Sequence, residues 1–122
     1  MKLINSTIEG TTVIFEFEGG QILKALNWGA GTKKWYLNGK YHREDGPAIE
    51  WESGSKHWYL NGSLHREGGP AVESADGDKS WYLMGKRHRE DGPAIELSNG
   101  HKEWWLMGKS LTEDQFNQQK PK

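Results

Sequence analysis

The chain has 122 residues, with 16 Lys and Arg set against 17 Asp and Glu and no cysteine. That length is one domain's worth, and the near-neutral balance gives no global basic field to draw the chain onto nucleic acid or an anionic membrane. The missing cysteine excludes a disulfide framework and thiolate chemistry, which suits a reducing compartment. Residues 1–5 lack the apolar run of a signal peptide and no segment is long and apolar enough to span a bilayer, so the expectation is a cytoplasmic protein without membrane contact.

In chain order, residues 12–26 read as an opening hairpin. Val13, Phe15 and Phe17 alternate with Ile14, Glu16 and Glu18, Gly19-Gly20 supplies a turn, and residues 22–26 return. This stretch carries none of the pattern that follows, so residues 1–24 are expected to cap an array.

Repetition starts at Ala25. Tryptophan recurs at 35, 58, 81 and 104, every 23 residues, and its surroundings recur with it. Trp35-Tyr36-Leu37-Asn38-Gly39 is echoed by Trp58-Tyr59-Leu60-Asn61-Gly62, by Trp81-Tyr82-Leu83-Met84-Gly85 and by Trp104-Trp105-Leu106-Met107-Gly108. After the first three come His42-Arg43-Glu44-Asp45-Gly46-Pro47-Ala48, His65-Arg66-Glu67-Gly68-Gly69-Pro70-Ala71 and His88-Arg89-Glu90-Asp91-Gly92-Pro93-Ala94. A period of this size means one small unit stacked on copies of itself, each burying the face its neighbour leaves open.

Two turns divide each unit. One lies at Ser53-Gly54, Asp76-Gly77 or Asn99-Gly100, between strands expected at residues 49–52 and 56–60. The other lies at Asn38-Gly39 or Asn61-Gly62, with Met-Gly in later copies. The segments between turns are too short for helices. The predicted fold is all-β, a single-layer, solenoid-like sheet of stacked β-hairpins over residues 25–111. Residues 112–122 form the closing segment: Thr112-Glu113-Asp114-Gln115 has capping-box spacing for a short helix pinned by Phe116, and 117–122 are polar and expected to fray.

The unit length and the run Asn38-Gly39-Lys40-Tyr41-His42 resemble MORN repeats, β-hairpin units that stack into a curved sheet. Lys86-Arg87-His88-Arg89-Glu90-Asp91-Gly92-Pro93-Ala94-Ile95-Glu96 is more similar to a MORN-like variant of tailed phages and giant viruses. The resemblance covers residues 25–111 and implies an architecture and a viral setting, hence the host cytoplasm. MORN units follow His with Gly-x-Gly, whereas Arg-Glu-Asp-Gly-Pro intervenes here, which predicts a different strand pairing. No basic face or lipid motif supports carrying over the lipid binding sometimes ascribed to such arrays.

His42, His65 and His88 share one repeat position and invite a metal reading. With two strands per unit they lie about 9–10 Å apart, whereas ligands of one zinc must approach within about 4 Å. A structural ladder is expected instead, each ring packing on the next unit's aromatic or donating to a turn carbonyl. Arg43, Arg66 and Arg89 are expected to pair with Glu or Asp of their own or the neighbouring loop. Gly46, Gly69 and Gly92 are expected to adopt positive φ before the prolines.

Adjacent strand residues face opposite ways. Trp35, Trp58, Trp81 and Trp104 therefore share one side, expected to be core because Leu37 joins Trp35 there. Tyr36, Tyr59, Tyr82 and Trp105 form the other. With Arg43, Arg66, Arg89, Lys40 and Lys86 they are the candidate binding surface, since Tyr and Arg are enriched at hot spots. No Gly-rich phosphate loop, separable Ser/His/Asp set, metal site or cofactor motif stands out. The expected function is a non-catalytic repeat-surface protein, a phage accessory protein that binds and inhibits a host protein such as a component of anti-phage defence. One alternative is a sponge whose Tyr or Trp rings and Arg side chains sequester a nucleotide signal. Another is a structural, assembly or antitoxin-like interaction protein. A monomer and a homodimer both fit the sequence.

Overall fold

A computed structural model of the chain describes residues 2–20, 22–28 and 31–119. It begins as an antiparallel meander of β1 (Leu3–Glu9), β2 (Thr12–Phe17), β3 (Ile22–Trp28) and β4 (Thr32–Leu37). The expected hairpin over 12–26 is present as β2 and β3, with Gly19 and Gly20 both at positive φ in the turn. A strand unforeseen from the sequence precedes it. β1 runs from Leu3↔Phe17 to Glu9↔Thr12 with an irregularity between Leu3 and Asn5. Its sequence shows no alternation because neither of its faces is covered: all seven residues are exposed, Ile8 at 75%.

Beyond β4, each unit contributes two hairpins. The first of each unit joins one open sheet: Ile49–Glu50 with Lys56–His57, Val72–Glu73 with Lys79–Ser80, and Ile95–Glu96 with Lys102–Leu106. These pair in sequence onto β4, so consecutive units extend a 12-stranded sheet. The second hairpins pair residues 36–37 with Lys40–Tyr41, Tyr59–Leu60 with Ser63–Leu64, Tyr82–Leu83 with Lys86–Arg87, and residues 104–106 with Lys109–Leu111. Their turns place Asn38, Asn61, Met84 and Met107 at φ 51°, 49°, 51° and 47°, each followed by a glycine at 82–83°. That is the type I′ geometry whose twist matches the strands it joins.

The strands expected at 49–52 and 56–60 are shorter than that. The first stops at Glu50 and the second breaks at Trp58. Trp58 turns its N–H to the Ala71 carbonyl (2.7 Å), while its own carbonyl accepts from His65 N–H (3.0 Å). Trp81 repeats this with Ala94 (2.7 Å) and His88 (3.1 Å), and Trp35 with Ala48 (2.8 Å) and His42 (3.1 Å). The second hairpins are tied to one another as well: Gly62 N–H donates to Tyr41 O, Gly85 to Leu64 O and Gly108 to Arg87 O, at 2.8–2.9 Å. Backbone groups that leave the ladder thus find partners one unit on.

The core is narrow. Ala48, Ala71 and Ala94 are 0% exposed, with Ile49, Ile95 and Leu37 nearly as deep. The expectation that Trp35, Trp58, Trp81 and Trp104 are core is corrected: all four are half-buried, as are the tyrosines opposite. Each interior alanine is also a backbone junction, its carbonyl accepting the Trp N–H of the preceding unit.

The chain closes as its sequence suggests. In helix α1 (Glu113–Gln119), Thr112 N–H donates to Gln115 Oε1 (2.9 Å) and Gln115 N–H donates to Thr112 Oγ1 (3.1 Å), a reciprocal capping box. Phe116 is buried over the last hairpin. Residues 117–119, expected to fray, belong to the helix; 120–122 lie outside the described residues, as do the side chains of 25–28, where the repeat register begins.

Candidate functional site

The arginines of the repeat fold back onto the tryptophans. Arg43 lies 4.0 Å from the ring centre of Trp35, Arg66 3.8 Å from Trp58 and Arg89 3.9 Å from Trp81. Each Nη1 donates to the carbonyl of the proline four residues on, at 3.2, 3.0 and 3.1 Å. It also faces a strand glutamate: Glu50 at 3.7 Å, Glu73 at 3.3 Å and Glu96 at 3.3 Å. A cation over indole with both partners of a charged fork supplied locally is a packing element as much as an ionic one. Arg43, Arg66 and Arg89, read from the sequence as candidate binding residues, are largely spent inside their own units.

This also explains the glycines before proline. None of Gly46, Gly69 or Gly92 has positive φ, contrary to expectation. A Cβ at each would stand 2.9, 2.8 or 3.0 Å from the Arg guanidinium carbon. The glycine makes room for the stacked arginine.

The histidines join neighbouring units with a polarity opposite to the one expected. Asn61 N–H donates to His42 Nδ1 (3.0 Å), Met84 N–H to His65 Nδ1 (2.9 Å) and Met107 N–H to His88 Nδ1 (2.9 Å). The ring accepts from the next turn and donates to no carbonyl there. An accepting Nδ1 fixes the tautomer with hydrogen on Nε2. That edge faces Glu44, Glu67 and Glu90 at 3.5, 3.9 and 3.4 Å, and in His42 it makes no hydrogen bond although buried. With Nδ1 engaged in a turn, the ladder has no lone pair to offer a metal. Among the described residues no three His, Asp or Glu gather as ligands.

The short strands also set up a charge ladder. Lys33, Glu50, Lys56, Glu73, Lys79, Glu96 and Lys102 occupy directly opposed positions across seven consecutive strands. Alternating signs fix register in a sheet only two residues wide, where a one-residue slip would otherwise go unopposed.

Larger side chains follow the second hairpins in two linked stretches, Tyr36 to Tyr59 and Tyr82 to Trp105. Tyr36 stacks on Tyr41 (ring centres 4.7 Å apart), and Tyr41 meets Tyr59 of the next unit (5.2 Å). Tyr59 is opposite Leu64 and Tyr82 opposite Arg87. Arg87 Nε donates to Tyr82 Oη (3.3 Å), and its guanidinium carbon lies 4.9 Å from the Trp105 ring centre. His57 and Trp51 extend the cluster sideways from Tyr59. Burial, followed by the adjacent Tyr41 hydroxyl, pushes the Tyr36 phenol up to about 12. Burial also raises the Tyr59 phenol and lowers the His57 imidazole.

The sequence candidates Tyr36, Tyr59, Tyr82 and Trp105 are therefore brought together, but through residues that sequence reasoning passed over. Tyr41, Leu64 and Arg87 share one repeat position and differ at each copy. That variation was the available signal, since a side chain needed only for stacking has no reason to change. Lys40 and Lys86 are exposed beside the row, their stems against the turn glycines Gly62 and Gly108.

Two clefts, of about 630 and 610 Å³, separate successive loops over the tryptophan spine. Trp58 and Leu60 line the first, and the equivalent Trp81 and Leu83 the second. Exposed carboxylates of Glu44, Asp45, Glu67, Glu90 and Asp91 stand around them. A third cleft of about 400 Å³ lies at the N-terminal end of the aromatic row, beside Ile22, Lys24 and Tyr36. No family model, curated protein or solved structure matches the chain.

Proposed function

We propose that the protein is a non-catalytic binding module, a MORN-like solenoid of stacked β-hairpins that docks a partner polypeptide along the row from Tyr36 to Trp105. One observation carries this reading. The recurring Trp, His and Arg side chains are consumed in contacts within and between units, whereas the recurring Tyr36, Tyr59 and Tyr82 and the variable Tyr41 and Arg87 line a half-exposed aromatic row. Tyr and Trp offer large contact area at low rotamer cost, and Arg87 among them adds a directional donor, a combination typical of binding hot spots. A host protein bound and inhibited by a phage accessory protein is the partner we favour, on the strength of the repeat's resemblance to phage sequences.

A nucleotide-sequestering role has less support. The clefts that contain tryptophan and arginine are rimmed by exposed carboxylates, which oppose a polyanion.

Affinity capture tests the proposal. Immobilised protein is incubated with bacterial lysate beside Tyr36→Ser, Tyr82→Ser and a loop control, Glu90→Gln, all matched for melting temperature. A discrete polypeptide retained by the parent and the loop control and lost from both row variants supports the reading. Retention unaffected by the row variants, or stabilisation by one nucleotide class without any captured protein, contradicts it.

A further inference from the structure

The three loops over the tryptophan spine are not equivalent. In the outer two the Arg Nε–H donates to an aspartate two residues on: Arg43 to Asp45 Oδ1 at 3.0 Å and Arg89 to Asp91 Oδ1 at 2.9 Å. In the middle loop that position is Gly68. Arg66 nevertheless keeps its other contacts. Its Nη1 donates to the Pro70 carbonyl at 3.0 Å and to Glu73 Oε1 at 3.3 Å, and it stays 3.8 Å from the Trp58 ring centre. The guanidinium is held as in the sister loops, and among the described residues nothing accepts from its Nε–H. A Cβ on Gly68 would meet no atom within 4 Å, so the space beside it is open, but Gly68 sits at φ +84°, a strained conformation for other residues that Asp45 and Asp91 do not share. Arg66 also forms part of the wall of both loop clefts.

We infer that Arg66 is a carboxylate-binding subsite, filled by an Asp or Glu side chain of another polypeptide in the place that Asp45 and Asp91 fill in the flanking loops. A guanidinium presents planar donors that match a carboxylate, and such charge-assisted bonds are stronger than neutral ones. Three existing contacts hold the side chain, so binding orders little that is not ordered already. The nearby Glu67 does not forbid a second negative charge. Its counterparts Glu44 and Glu90 stand beside the aspartates that occupy the same position in the outer loops. A single carboxylate is thus the ligand the repeat itself demonstrates, and a phosphate with its greater charge meets more repulsion. The subsite lies among the loops and stands whether or not the aromatic row is a docking face.

The test follows the Arg Nε–H resonances by NMR in the full chain, during titration with acetate and, separately, inorganic phosphate at matched ionic strength. Acetate should move the Arg66 resonance saturably, several times more than it moves those of Arg43 and Arg89, and more than phosphate does. Gly68→Asp should bring the Arg66 resonance toward the other two and remove its response. Asp45→Gly should confer the response on Arg43, and this variant carries the test if Gly68→Asp does not fold. An Arg66 response to acetate no larger than that of the other arginines, or a larger response to phosphate, overturns the assignment.

Discussion

The N-terminal meander and the repeat array solve the problem of a thin sheet in opposite ways. β1 pairs with β2 at six positions, yet none of its residues is even half-buried. Array strands pair over two residues and still bury Ala48, Ala71 and Ala94 completely. A regular backbone ladder therefore does not make this core. Side-chain contacts do: arginine on tryptophan within a unit, histidine on the turn amide of the next, and glutamate facing arginine. The array gains uniqueness from contacts repeated from unit to unit, whereas β1 has only its backbone ladder to β2.

The most severe way to break that contrast is to remove a platform. Trp81→Ala takes away the ring under Arg89 and should destabilise the fold by about 3 kcal/mol in denaturant unfolding; a loss nearer that of an ordinary surface change would refute the spine. Next comes the unit junction. His65→Leu leaves the Met84 N–H without its acceptor and should cost about 1–3 kcal/mol. His65→Asn places an oxygen near the position of Nδ1 and should recover most of that loss, which calorimetry of the pair would show.

A smaller change should go the other way. Met84 and Met107 occupy positive-φ turn positions where the first two copies have asparagine, and they are 69% and 52% exposed. Met84→Asn should stabilise the protein by about 1 kcal/mol, read as a raised melting temperature. If it does not, the turn strain attributed to the later copies is absent.

Alkali probes the aromatic row. The folded state raises the Tyr36 phenol from 10.0 to about 12, so it holds that proton more tightly than the unfolded chain. The associated stability is whole below pH 10.0 and is lost as pH rises through about 12. Ultraviolet titration should show late ionisation from Tyr36 and Tyr59, and the Tyr36 share should disappear in Tyr36→Phe. The smallest effect belongs to the meander: Ile8→Thr on fully exposed β1 should alter stability by no more than about 0.5 kcal/mol.

How far the chain could be read in advance follows the same division. The period, the positive-φ turns and the capping box rest on local chemistry, so Asn61-Gly62 and Thr112-Glu113-Asp114-Gln115 were legible as they stand. β1 was not, because an uncovered strand carries no alternation. The role of Gly69 was misread since its constraint comes from Arg66, a side chain that folds back only once Trp58 is in place. The direction of the histidine bond was hidden for a like reason: the partner of His65 is a turn amide 19 residues away. Half of the aromatic row was visible as the Tyr of each unit. The other half sits at residues 41, 64 and 87, where departure from the repeat was the signal and the repeat itself drew attention away.

The central claim is that the Trp and His ladders and the arginines of the outer loops, Arg43 and Arg89, build the scaffold and do not themselves bind a partner polypeptide. Arg43→Met and Arg89→Met, each measured for melting temperature and for partner capture per folded molecule, test it most directly. Comparable losses of stability are expected in the two variants, with capture unchanged. Loss of capture from either variant at an unchanged melting temperature would contradict it.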